Sequence, residues 1–80
     1  MKIYIVEERH TTMYMPLAYY RTKSSAVARF GLFVHELQSD PSNPPVNLEP
    51  TSSDKGNLSL IAIVRCGHET YRLREIETED

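Results

Sequence analysis

The chain has 80 residues, of which 40% are hydrophobic and 25% charged, and its formal net charge is −2. That length makes one domain near the lower limit for an unaided hydrophobic core, and the balance of residues excludes a disordered chain and a dedicated polycation for nucleic acid. The single cysteine, Cys66, excludes an internal disulfide and places the expected compartment in the reducing cytoplasm.

Residues Met1 to Glu8 are too short and too acidic a stretch to read as a signal peptide, and the longest apolar run, Leu60 to Val64, falls far below a membrane span. Within the opening stretch, Ile3 and Ile5 alternate with Tyr4 and Val6, the pattern of a strand buried on both sides and central in its sheet. Arg9 to Thr12 reads as a polar turn. Met13 to Arg21 predicts a second strand, with Met13, Met15, Leu17 and Tyr19 on one face and Tyr14, Ala18 and Tyr20 on the other. Tyr19 is assigned to the core. Pro16 has no N–H for a ladder, so this strand belongs at an edge or carries a bulge there.

Thr22 is the predicted N-cap of a helix in which Ala26, Val27, Phe30, Phe33, Val34 and Leu37 form one apolar stripe, ending near Gln38. Gly31 costs such a helix about 1 kcal/mol relative to alanine, and a close approach to the sheet is the expected reason for it. Residues 39–57, with Pro41, Pro44, Pro45 and Pro50 and only two aliphatics, Val46 and Leu48, are expected to form a loop. Asn57 to Arg65 is the most hydrophobic strand, followed by a turn at Cys66-Gly67-His68 with Gly67 suited to positive φ. Glu69 to Ile76 predicts the last strand, with Tyr71 and Leu73 inward and Thr70, Arg72 and Arg74 outward. Its charge density suggests an edge. The residues 75–80 carry four of the eleven acids and read as an acidic tail.

The expected fold is α+β: a single domain over residues 1–80 in the order β-β-α-β-β, one helix on a four-stranded antiparallel sheet of spatial order 2-1-3-4. The sheet face away from the helix would then carry Tyr4, Val6, Tyr14, Tyr20, Ile61 and Ile63, more apolar surface than a monomer leaves wet. Either the proline loop crosses it or a second molecule does. That face and the edge strands offer two routes to a homodimer.

Chemistry is sparse. Cys66 and His68 are two apart, but a structural zinc site needs four ligands in paired spacings, so no metal and no cofactor is expected. Three unclustered glycines exclude a phosphate-binding loop, and Glu7 and Glu8 alternate faces and cannot act as a carboxylate pair. Val64 to Tyr71 resembles the Gly-x-His strand of small toxin ribonucleases, although Gly67 and His68 are adjacent here and the long proline loop replaces a tight helix-to-strand connection. That resemblance implies a ribonuclease using His68, the third of three readings.

Tyrosines interleaved with arginines are the stronger signal, because these are the side chains most enriched at binding hot spots. Tyr14, Tyr20, Arg21, Arg29, Arg72 and Arg74 are the expected partner-binding residues. In layout, the strand Met1-Lys2-Ile3-Tyr4-Ile5-Val6-Glu7-Glu8, the aromatic strand after it and the helix start Thr22-Lys23-Ser24-Ser25-Ala26 resemble small phage or mobile-element accessory proteins, anti-CRISPR proteins among them. The resemblance implies a non-enzymatic inhibitor that occludes a host protein complex. A nucleic-acid-binding accessory protein is the second reading, since aromatics and bases on a sheet can stack on and neutralise a single strand.

Overall fold

β1 (Lys2–His10) is an internal strand, as its β-branched and aromatic residues suit it to be. The computed structural model describes residues 1–10, 12–49 and 60–78. β2 (Met13–Tyr20) pairs antiparallel with β1, and both expectations for Pro16 hold. The strand lies at a sheet edge, and the register shifts as Val6 pairs with Ala18 but Glu7 with Pro16, leaving Leu17 as the extra residue.

α1 (Lys23–Ser39) starts where expected. Thr22 is extended (φ −124°, ψ 146°) and its Oγ1 accepts from the Ser25 N–H at 3.3 Å, satisfying one of the orphan donors of the first turn. Ala26, Phe30 and Val34 are buried, and Phe33 and Leu37 pack beside them. Beyond the helix, Asp40 accepts from the N–H and hydroxyl of Ser42, and the Asn43 amide donates to the Leu37 carbonyl.

β3 (Val46–Glu49), β4 (Leu60–Cys66) and β5 (Glu69–Glu77) complete a five-stranded antiparallel sheet of order β2-β1-β5-β4-β3. This corrects the expected four strands in order 2-1-3-4 at two points. The last strand sits at the centre, beside β1, and the Leu60–Cys66 strand lies outside it. A charged strand is tolerated there because Glu7 of β1 faces Arg72 and lies beside Arg74, so the charges are neutralised inside the sheet. The second correction is β3 itself, inside the expected loop. Val46 and Leu48 alternate with Asn47 and Glu49 for only four residues, and pairing with Ile63 to Cys66 provides what so short a strand cannot provide alone.

Pro50 and the residues 51–59, including the Asn57–Ser59 start expected for the hydrophobic strand, lie outside the described residues. The expected acidic tail is strand through Glu77: Tyr4 Oη donates to Glu75 at 3.2 Å and Lys2 pairs with Glu75 at 3.7 Å. Its last two residues lie outside the described range.

The core forms between α1 and one sheet face, from Tyr4, Val6, Phe30, Val64, Tyr71 and Leu73 together with Ala26, Val34 and Cys66. Phe33 meets the Tyr71 ring edge-on at 4.7 Å between centroids, a favoured aromatic geometry. Gly67 has φ +62°, and a Cβ there would meet Pro44 Cγ at 2.9 Å, so the β4–β5 turn needs glycine for conformation and for space. Pro44 thus lies against this turn, and its carbonyl accepts from Cys66 Sγ at 3.6 Å. The described part of the proline loop lies there rather than across the opposite sheet face.

Gly31 differs from its expected role. An added Cβ would meet nothing within 4 Å, so no close approach to the sheet demands a glycine. It lines an open cleft of about 340 Å³ with Val27, Phe30, Val34, Leu48 and Ile61. Gly31→Ala is therefore expected to raise the unfolding free energy by about 1 kcal/mol, read as a higher urea midpoint at unchanged slope.

Candidate functional site: the uncovered sheet face

Strand pairing decides which side chains share the face opposite α1. Ile3, Ile5, Glu7 and Arg9 of β1 stand beside Ile76, Arg74, Arg72 and Thr70 of β5. Across β2 the same row continues with Tyr19 opposite Ile5 and Tyr14 opposite Arg9. Leu60, Ile63 and Arg65 of β4 extend it on the other side, with Asn47 and Glu49 of β3 at the rim. Among the described residues, no element packs on this face. The membership differs from expectation: Tyr4, Val6 and Tyr20 face the helix, and Ile61, at a register shift in β4, packs against the core. Tyr14 and Ile63 are where they were expected.

At the centre, a carboxylate organises two guanidinium groups. Glu7 Oε1 accepts from Arg72 Nε at 2.7 Å and from Arg74 Nε at 2.6 Å, and Arg74 Nη2 reaches Oε2 at 3.1 Å. Glu7 is only 7% exposed. Burial alone would raise its pKa, but the hydrogen bonds and charges of Arg74 and Arg72 outweigh burial and hold the carboxyl below its ordinary value. It stays ionised, and its two arginines are fixed in direction.

Arg72 also lies over the Tyr14 ring, with Cζ 3.4 Å from the centroid, and Arg9 stands 5.9 Å from the same ring. Arg65 Nε pairs with Glu49 at 2.8 Å. Among the described sheet residues, the four arginines Arg9, Arg65, Arg72 and Arg74 share this face with only two acids, Glu7 and Glu49. The helix side of the sheet holds Lys2, Glu8, Glu69, Glu75 and Glu77. Strand alternation thus separates the signs: a mildly basic aromatic face on one side and an acidic border on the other.

No family model, no curated protein and no solved structure matches the chain. What the site can do rests on its own chemistry.

Of the six expected binding residues, the fold brings together Tyr14, Arg72 and Arg74. Tyr20 packs against the core from the helix side, Arg21 is exposed in the turn before the helix, and Arg29 is exposed on α1. Tyr19, assigned from sequence to the core, is instead 61% exposed on the uncovered face. The Tyr19–Tyr20 exchange has one cause. The extra residue at Leu17 shifts the alternation of β2, so a reading in strict phase along the strand reverses one end of it.

Glu7 was missed as a site residue. Its signal was a carboxylate directly after the apolar run Ile3 to Val6 of a strand read as central, where a buried charge demands a partner. Cys66 is buried and directed at Pro44, while His68 is exposed in the turn. Among the described residues, no group of three or more histidine, cysteine, aspartate or glutamate side chains is placed to share a metal. No helix of the described residues is long and apolar enough to cross a membrane.

Proposed function

We propose that the chain is a small non-enzymatic binding protein that docks a host protein complex on its uncovered sheet face and inhibits it by occlusion, in the manner of phage anti-defence proteins such as anti-CRISPRs. The observation that carries the reading is the Tyr14–Arg72–Glu7–Arg74 cluster. Tyrosine and arginine held rigidly on strands, with aliphatic Ile3, Leu60 and Ile63 around them, are the composition of an interface hot spot. Glu7 fixes the two arginines before any partner arrives, which lowers the ordering cost of binding. The resemblance to phage accessory proteins adds the mode of action.

The test has two arms. Expressed in a bacterium with an active nucleic-acid-guided defence, the wild-type chain is expected to restore phage plaquing, and Tyr14→Ala to abolish the effect. Arg29→Ala, on the helix, is expected to retain it. Equal behaviour of Tyr14→Ala and wild type, or the absence of any protection, would overturn the proposal.

A nucleic-acid reading has one observation in its favour, the gathering of four arginines and two tyrosines on one face. Three of those arginines already pair with Glu7 or Glu49, and Arg72 occupies one side of the Tyr14 ring, where a base would stack. Binding of a single-stranded oligonucleotide that falls steeply with salt and with Arg72→Ala or Arg74→Ala would favour this reading over a protein partner.

A further inference from the structure

The β2 edge carries a second surface, separate from the Arg–Glu cluster. An edge strand presents a row of unpaired N–H and C=O groups, and proteins guard such rows with charges, short length or proline. The eight residues of β2, Met13-Tyr14-Met15-Pro16-Leu17-Ala18-Tyr19-Tyr20, include no charged side chain, and its two guards, Pro16 and the bulge at Leu17, sit together at the middle and leave both ends of the strand open. Met13, Met15, Leu17 and Tyr19 are all exposed, at 50% or more, so half of the exposed large hydrophobics of the described chain lie on this one strand. The opposite edge is guarded differently: β3 is four residues long and carries Glu49 in an ion pair.

We infer that β2 pairs antiparallel with β2 of a second copy of this chain, about a two-fold axis between Pro16 and Leu17, joining two sheets into one of ten strands. Backbone groups at an edge accept only an extended chain, and an uncharged strand meets no like-charge repulsion from its own copy.

The bulge then selects the register. In an antiparallel pair, residues directly opposite one another share a face. Leu17 shifts the phase of β2, so Tyr14 and Tyr19 share the uncovered face although an odd number of positions separates them. A strand paired with its own copy across such a bulge matches face to face when opposed residues are an odd interval apart. Centred between Pro16 and Leu17, this pairing sets Tyr14 opposite Tyr19, Met13 opposite Tyr20 and Met15 opposite Ala18, and it uses the whole strand.

Pro16 has no N–H, so the ladder is interrupted at the axis. Met13–Met15 and Ala18–Tyr20 carry it on either side.

The consequence reaches the proposed site. A two-fold axis normal to the sheet keeps both uncovered faces on the same side. Tyr19 of the second copy then lies beside Tyr14, against whose ring Arg72 is already stacked, and four tyrosines line the seam between two Arg–Glu clusters. The dimer does not depend on what the face binds, so its test is independent of the proposed function.

Light scattering on the purified chain is expected to give twice the 9.2 kDa chain mass. Leu17→Lys, at an exposed position, is expected to give the chain mass with an unchanged circular dichroism spectrum. For the register, Tyr14→Cys chains are mixed with Tyr19→Cys chains, both in a Cys66→Ala background, and oxidised. Opposed residues lie within disulfide reach, so the mixed disulfide is expected to predominate over either homodisulfide. A chain mass at every concentration tested, a dimer that persists in Leu17→Lys, or a dimer without the mixed disulfide would each overturn the inference.

Discussion

Phe30→Ala is expected to lower the unfolding free energy by about 3–4 kcal/mol, the usual cost of deleting a buried aromatic side chain. Phe30 sits midway along α1, 5% exposed, at the point where the helix meets the core face. A domain of this size has roughly 5–10 kcal/mol of stability in total, so one side chain on one helix carries a large fraction of it. The cost is high because only α1 covers this face among the described elements, so few neighbouring groups can move in to fill the space. Urea denaturation followed by circular dichroism would measure it, as a fall in midpoint at unchanged slope. Leu32→Ala is the comparison. Leu32 lies on the same helix but is exposed, and its change is expected to stay within about 0.5 kcal/mol. Equal costs at the two positions would mean that the helix does not seat on the sheet through Phe30.

The elements most legible in the sequence were those whose signals are local. Thr22 two residues ahead of Ser24-Ser25 and an apolar stripe at helical spacing specify a capped helix without reference to the rest of the chain, and α1 begins and ends within a residue of expectation. Pro16 and Gly67 act through their own backbones, and the structure places both as anticipated. What escaped was set by neighbours. Arg72 and Arg74 mark an edge strand if each strand is read alone, and mark a centre once Glu7 stands across from them. Val46 to Glu49 is too short to show a period and becomes a strand only through the partner that β4 provides.

The candidate site was half legible for the same reason. Residue type pointed to tyrosine and arginine correctly as a class. Which of Tyr19 and Tyr20 faces outward depended on one unpaired residue, and a single-residue slip in a strand inverts every side chain beyond it. Arg21 and Arg29 resembled site residues by type and proximity in sequence, but Arg21 stands in the turn before the helix and Arg29 on α1, outside the strands that build the face.

Glu7→Ala is expected to cost about 2–3 kcal/mol, below the usual range for removing one partner of a fully buried ion pair, because Arg72 and Arg74 remain partly exposed and can turn toward water. The sign of the pH dependence follows from the lowered pKa of Glu7, whose ordinary value is 4.5. A carboxyl with a depressed folded-state pKa contributes stability that is fully present above the unfolded value and is lost as pH falls through the folded one. The stability gap between wild type and Glu7→Gln should therefore be constant from neutral pH down to about 5 and should close on further acidification. A gap that widens in acid would mean that the arginines do not hold the carboxylate charged.

The triple variant Glu7→Leu, Arg72→Leu, Arg74→Leu separates folding from function at this cluster. Replacing all partners of a buried ionic group with apolar side chains is often neutral or stabilising, so this variant should recover most of the stability lost in Glu7→Ala. It should not recover the anti-defence activity proposed for the chain, because the fixed guanidinium groups and the cation held over Tyr14 would be gone. Stability regained with activity absent is the result that assigns the cluster to binding. A triple variant that keeps activity would assign the cluster to the sheet's internal charge balance and leave Tyr14 and Tyr19 as the remaining contact residues of the face.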